Sequence, residues 1–460
     1  MPASNILSSE PTESVAPQNW KAVFDRVDLI TEAFVNNQKD SFGSLEEQLR
    51  REMNTAFQRA LASTLQKRAD SAGRKCLTCG TKLIRGRHTS RTIKTIAGPV
   101  RIKRYRGYCP TCKKWVCPAD EELKLDAGVS PLVEEMTALF ASKMPIAEAS
   151  KVMQRATGVE MPPASLDREA KRIGRQAQKK LDEMNEDPTA SKREGGPVQT
   201  LIIEIDAWNL RERDQWGLSQ ALREKGEEPK RWHWVWVGTI FNLEQRLEKN
   251  QRPVISDRGY VATLEGKEKF QKELHSEALR RGLAQAQKVI VLGDGAAWIW
   301  NLADDRFKEA DQRLDLYHVY EHLESLGRAL FKDVKEAKRW IKRKKKQLKG
   351  GKVERVIEQS QGLLEGLEDV SAREGSEKEI AYMESHRDRM DYDQAIEQGE
   401  PLGSGAIEST CRQYQCRFKR PGQFWSRQGD QPLLCLETYW RNDRWDLLFP
   451  HVNSADLYKN

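Results

Sequence analysis

Four of the eight cysteines in this 460-residue chain fall into two pairs, Cys76-Leu77-Thr78-Cys79 and Cys109-Pro110-Thr111-Cys112. Two Cys-x-x-Cys knuckles joined by a hairpin can offer four thiolates tetrahedrally to one structural zinc, and a cytoplasmic chain has little use for them as disulfides. The joining segment, residues 80–108, is 29 residues long, somewhat beyond the usual ribbon spacing. Unligated or redox thiols are therefore the alternative, and Cys117 and His88 are possible substitute ligands. Cys411, Cys416 and Cys435 read as ordinary buried or helix-face cysteines.

A second set of residues is acidic. Asp206 ends the apolar run Leu201-Ile202-Ile203-Glu204-Ile205-Asp206, and Asp294 follows Val289-Ile290-Val291-Leu292-Gly293. A carboxylate emerging from a buried strand is costly unless it is paired or holds a cation. Glu408 sits where the Gly-rich Leu402-Gly403-Ser404-Gly405 opens a helix. Three carboxylates brought together in this way could hold two Mg²⁺ about 4 Å apart, activating a nucleophile and stabilising the leaving oxygen of a phosphodiester. Spacing alone also allows ordinary capping and edge acids.

The elements that must position these groups follow from periodicity and punctuation. Residues 1 to about 16 are Ser-, Pro- and Glu-rich and read as a disordered tail. Helical spacing from Trp20 to about Lys67, broken near Asp40 to Gly43, predicts a helical hairpin that completes a first segment, 1–70. Alternating runs at 92–96 and 100–105 predict a β-hairpin inside a zinc ribbon-like module, 71–126. Helices over 129–157 and 165–184, separated by a break at 158–163, fit a helix-turn-helix within 127–184, a plain helical hairpin being the alternative. The polar stretch 185–197 reads as a linker. Beyond it come strands over 198–205, 233–241, 254–263, 289–292 and about 313–317, with a helix over 267–287. Helices then continue to about Glu397. Strands first, then strands alternating with helices, predict a mixed sheet flanked by helices.

Charge adds a third observation. The formal balance is only +8, yet Arg74 to Arg106 holds eleven basic residues and no acid, and Lys332 to Arg355 holds twelve basic against three acidic. Such concentration suits phosphate neutralisation by Arg101, Lys103 and Arg104, by Arg168, Lys171 and Arg172 of the second helix, and by Lys342, Arg343, Lys344, Lys345 and Lys346. Residues 357–400 are the reverse, with thirteen acidic and four basic side chains. Trp340 reads as buried packing, with stacking on an unpaired base as the alternative. No run of about 18 apolar residues spans a membrane and the start lacks a signal peptide, so a cytoplasmic, nucleoid-associated protein is expected.

Over roughly residues 70–450 the chain resembles the DDE transposases of bacterial insertion sequences, most closely the Kra-type family. The motifs are the cysteine pairs, Gly403-Ser404-Gly405-Ala406-Ile407-Glu408, Arg417-Phe418-Lys419-Arg420-Pro421-Gly422, Phe424-Trp425-Ser426 and Asn442-Asp443-Arg444-Trp445-Asp446. The resemblance implies a multidomain α/β chain whose ribonuclease H-like core, 198–318 and 402–460, is interrupted by an all-helical insertion, 319–401. It places the catalytic acids at Asp206, Asp294 and Glu408, holding two Mg (or Mn) ions. It adds His318, within Asp315-Leu316-Tyr317-His318, as a residue positioning phosphate or metal. The implied activity is transposition: binding of double-stranded transposon ends, metal-dependent cleavage, and strand transfer into target DNA by a homodimer or higher homo-oligomer. Pro421 before Gly422, and Ala207-Trp208 after Asp206, depart from the pattern. A domesticated, inactive DNA-binding regulator is the rival reading, and a structure-specific nuclease a further one.

Overall fold

The computed structural model describes residues 20–37, 39–125, 127–188, 198–244 and 254–450. The expected N-terminal tail and most of the expected linker lie outside the described residues. The chain divides into two compact units, with the boundary at Ala170/Lys171 and the second unit ending at Leu448.

The first unit opens with α1 (Trp20–Asn36) and α2 (Phe42–Ser71), the helical hairpin that the periodicity predicts. Ser41 caps α2 by accepting a hydrogen bond from the Ser44 amide at 3.2 Å. Strands β1 (Ile84–Thr95), β2 (Gly98–Cys109) and β3 (Lys114–Val116) form an antiparallel sheet in that order. The β1–β2 hairpin reaches further from its turn than the alternation suggests, because residues 85–91 of β1 are polar or glycine and mostly exposed, with no period-2 signal. Its apolar residues Ile93, Val100 and Ile102 pack on Leu61, Ala62 and Leu65 of α2. Gln66 reinforces this by pairing with both backbone groups of Lys103, at 2.8 and 2.9 Å. Helices α3 (Pro118–Glu122), α4 (Pro131–Lys143), α5 (Ile146–Thr157) and α6 (Pro163–Glu186) follow. The single helix expected over 129–157 is two, because Met144 is extended ahead of Pro145, as a residue preceding proline prefers. Gly158 ends α5 in the left-handed conformation, φ 76°. The unit boundary lies inside α6 rather than at 185–197.

The second unit is built on a five-stranded mixed sheet of β4 (Thr200–Arg211), β5 (Trp232–Glu244), β6 (Val254–Thr263), β7 (Lys288–Gly293) and β8 (Asp311–Leu314), in the order β6-β5-β4-β7-β8. The first three strands are antiparallel neighbours, β7 lies parallel to β4, and β8 parallel to β7. Helices α7 (Ser219–Glu224), α8 (Lys267–Arg280) and α9 (Ala297–Arg306) fall in the connections. Strand β4 is central and apolar on both faces. Leu201, Ile203 and Ile205 enter the main core with Phe270, Val291 and Ile299, while Ile202 packs in a second cluster with Phe241 and Ile290. After β8 the chain is helical: α10 (Leu316–Leu330), α11 (Val334–Lys349), α12 (Val353–Leu364), α13 (Val370–Ser385) and α14 (Tyr392–Glu397), then α15 (Gly405–Phe418), α16 (Asp430–Arg441) and α17 (Trp445–Leu448).

Candidate active site and metal centre

Alternation along β4 puts Ile202, Glu204 and Asp206 on the face opposite the main core. The parallel β4–β7 register runs from Thr200↔Lys288 to Glu204↔Leu292. Extended by two residues, that register sets Asp206 opposite Asp294, which immediately follows β7. Burial raises the Asp206 carboxyl above its ordinary value, and the nearby charge of Asp294 adds to the effect. Opposing it are the Ala207 amide, which donates to Asp206 Oδ1 at 2.6 Å, the Cys411 thiol and the charge of His318. Asp294 Oδ1 accepts from the Ala296 amide at 3.0 Å.

Glu408 lies in the first turn of α15, half-buried, with Arg412 at 3.5 Å. Cys411, almost one turn further on, is buried against the Asp206 carboxylate and feels the charge of Glu408, so its thiol is raised by burial first and by these acids second. His318 lies within electrostatic reach of Asp206, its Nδ1 3.5 Å from Glu321. The three acids and His318 thus belong to one region. Even so, among the described residues, the acids are not among the groups of three or more metal-ligating side chains whose ligand atoms all lie within 4.8 Å of one another.

Sequence reasoning missed the side chains that hold this region together. Glu204 is buried, and its Oε2 accepts from the Ile407 amide at 2.6 Å, fastening the start of α15 to β4. Burial pushes its carboxyl up to about 8, against the pull of the Ile407 amide and Arg258. Arg258 donates to the Ala406 carbonyl at 2.6 Å and to the Thr410 hydroxyl at 2.7 Å. Asp315, fully buried, caps α10 through the Tyr317 and His318 amides at 2.6 and 3.3 Å. Its other oxygen accepts from the Ser404 amide at 2.6 Å and from the Ser404 hydroxyl. The Asp of the Asp-x-x-His element therefore orients its histidine and the Gly403-Ser404 turn together. Gly403 leaves no space there, since a Cβ would lie 2.5 Å from the Tyr317 ring. From α13, Tyr382 donates to the Asp294 carbonyl at 2.8 Å and stacks on His322 at 3.6 Å. Every one of these partners is more than 80 residues distant from the group it holds, apart from the α10 cap and the Tyr382–His322 stack, so no local pattern announces them.

In the first unit, Cys76, Cys79, Cys109 and Cys112 form a group whose sulfurs all lie within 4.8 Å of one another. Two of the separations are 3.9 Å (Cys76–Cys112) and 3.4 Å (Cys79–Cys109). A tetrahedral site with Zn–S near about 2.3 Å requires sulfurs about 3.8 Å apart. The Thr81 hydroxyl and amide draw the Cys79 thiol down to about 6, whereas neighbouring sulfurs, Cys79 first, push Cys112 up to about 12. Crowded thiolates without a cation repel, so these four can hold a metal ion and suit structural zinc. Cys117 and His88 lie outside the group: Cys117 precedes α3, and His88 packs edge-on against Tyr105.

The proposed phosphate contacts separate into exposed and engaged residues. Arg101, Lys103, Arg168, Lys342, Arg343 and Lys346 are exposed, and Lys171 and Arg172 half-buried. Arg104 is instead tied to Asp120 at 2.6 Å, beside Arg91 at 2.8 Å. Lys344 is buried: it donates to Gln359 and lies over Trp340, itself a core residue. Its helical phase turns it inward, and burial draws its ammonium down to about 8. Lys345 pairs with Glu324 at 2.7 Å. A run of consecutive charges on a helix cannot all face one partner, and these two residues are the turn that faces home.

The chain belongs to an uncharacterised protein family, UPF0236, whose family model matches residues 36–442. None of the curated proteins compared with it matches. No helix among the described residues is long and apolar enough to cross a membrane.

Proposed function

We propose that this member of the family is a metal-dependent DNA transposase of an insertion sequence. One observation carries the reading: the parallel β4–β7 register, continued by two residues, brings Asp206 of β4 to Asp294 just after β7, while Glu204 and Cys411 bring the helix bearing Glu408 against the same strand. Three antiparallel strands followed by two parallel ones, with the first strand central, support a ribonuclease H-like core. The helices between β8 and α15 would then be the insertion.

The donor set suits a hard divalent ion. Asp206 and Asp294 supply carboxylate oxygens, neither forms an ion pair with Lys or Arg among the described residues, and the charge of Asp294 adds to burial in raising the Asp206 carboxyl. Asp206, Asp294 and Glu408 would hold Mg²⁺ or Mn²⁺, which supplies nucleophile activation and leaving-group stabilisation in phosphodiester chemistry. The protein's own residues do the placing. Glu204 and Arg258 fix the helix of Glu408, Asp315 fixes His318 beside the acids, and Tyr382 fixes the Asp294 turn. Arg101, Lys103 and Arg168 offer exposed charge for DNA ends, and Arg343 and Lys346 for flanking or target backbone.

Titration of the purified protein with Mn²⁺ tests the site without needing a substrate. Binding in the wild type that is lost in Asp206→Asn and Asp294→Asn supports the reading. Equal binding by all three proteins removes these acids from it.

A further inference from the structure

Helices α10 and α11 are joined by a three-residue turn and packed together, and a groove of about 480 Å³ lies between them. It is lined by apolar Phe331, Val334, Ala337 and Ile341 and by basic Arg328, Lys332, Lys338, Lys342 and Lys345, against the single acid Glu324. Glu324 is already paired with Lys345 and Arg328. Lys332, Lys338 and Lys342 have no ion-pair partner among the described residues. Val334 is 65% exposed although it is a large apolar side chain.

The opposite chemistry sits elsewhere in the same subdomain. The turn between α12 and α13 carries Glu365, Glu368 and Asp369, with Glu374 one turn into α13, around Leu363 and Val370, the latter 71% exposed. Glu365, Glu368 and Glu374 likewise have no ion-pair partner among the described residues. Short connections between successive packed helices alternate their direction, so the α10–α11 and α12–α13 turns lie at the same end of the helical subdomain.

We propose that a second copy of this chain docks here, its acidic α12–α13 turn entering the α10–α11 groove of the first. A two-fold axis makes the contact twice, groove to turn and turn to groove, so the assembly closes as a dimer instead of growing. Charge complementarity and exposed apolar side chains on both halves favour this occupant over nucleic acid, whose backbone makes no use of an apolar lining.

Sedimentation of the full chain across a salt series tests the pairing. The double variants Lys338→Glu/Lys342→Glu and Glu365→Lys/Glu368→Lys should each weaken self-association at least tenfold while keeping wild-type helicity by circular dichroism. Mixed in equal amounts, they should associate again, because in the mixed pair reversed groove meets reversed turn and native meets native. A wild type that stays monomeric at tens of micromolar, or a mixture that stays dissociated, overturns the proposal. So does a groove variant that loses DNA binding while its self-association is unchanged, which would make the groove a nucleic-acid surface.

Discussion

At the scale of single residues, the candidate site consists of three acids set by buried partners. If the proposed function holds, Asp206→Ala, Asp294→Ala and Glu408→Ala should each lower DNA cleavage by on the order of 10³-fold or more while leaving DNA binding nearly intact, since the proposed phosphate contacts involve other residues. Cleavage assays beside binding assays check this, and a variant that still cleaves loses its place in the site. Glu204 makes a different prediction. Its folded value of about 8 lies above the ordinary 4.5, so the folded state holds a proton that the unfolded chain has released. The stability it contributes is complete below about pH 4.5 and is lost as pH rises towards 8. Beside burial, the charge of Arg258 lowers its value and that of Asp315 raises it. Glu204→Gln keeps an acceptor for the Ile407 amide but cannot ionise, so its denaturation midpoint should fall less between pH 5 and 8 than that of the wild type. Identical pH profiles would mean that Glu204 is not protonated in the fold. The acids themselves were legible because apolar strand residues flank Asp206 and Asp294. Their holders were not, because Glu204 reads as one more polar residue in a strand until α15 is laid over it.

At the scale of elements, the strands of the second unit are legible in the sequence, but not all of their ends. β6 is recovered end to end, whereas β4 continues through Trp208 and Leu210 to Arg211, six residues past the expected end at Ile205. Residues of the C-terminal motifs that carry the resemblance make packing contacts. Asn442 donates to the Tyr260 carbonyl at 2.8 Å and accepts from its amide at 2.9 Å, standing in for a further strand at the edge of β6. Arg444 reaches buried Glu277 at 2.8 Å, and the Trp425 indole donates to the Phe418 carbonyl at 2.8 Å. Helix α6 approaches α16 so closely that a Cβ on Gly174 would lie 2.3 Å from the Pro432 carbonyl oxygen. Gly174→Ala should therefore destabilise the second unit by about 1–3 kcal/mol, despite alanine's better helix propensity, through overpacking against backbone. Chemical denaturation checks it, and a variant as stable as the wild type would mean that the helices separate without cost.

At the scale of the whole molecule, the first unit holds a metal-ready cysteine module and the second an acid-bearing sheet. The protein should carry one zinc per chain when purified without chelator, and Cys79→Ser with Cys109→Ser should abolish it and unfold the β1–β3 module, because metal binding is folding energy for so small a core. Elemental analysis and near-ultraviolet circular dichroism check both parts. The helical subdomain is electrically divided, and the division is plain in the sequence. Which lysines face outward is not, since helical phase and the burial of Lys344 decide it. The central claim is that the Asp206, Asp294 and Glu408 region joins DNA to DNA. The most direct measurement incubates the purified full chain with labelled DNA from both flanks of its own gene and a target plasmid, with Mg²⁺ or Mn²⁺, and sequences the products. The account predicts joined flank–target molecules that require the metal and disappear in Asp206→Asn. A folded, zinc-loaded protein that binds the flanks yet yields neither cuts nor joins with either metal would contradict it.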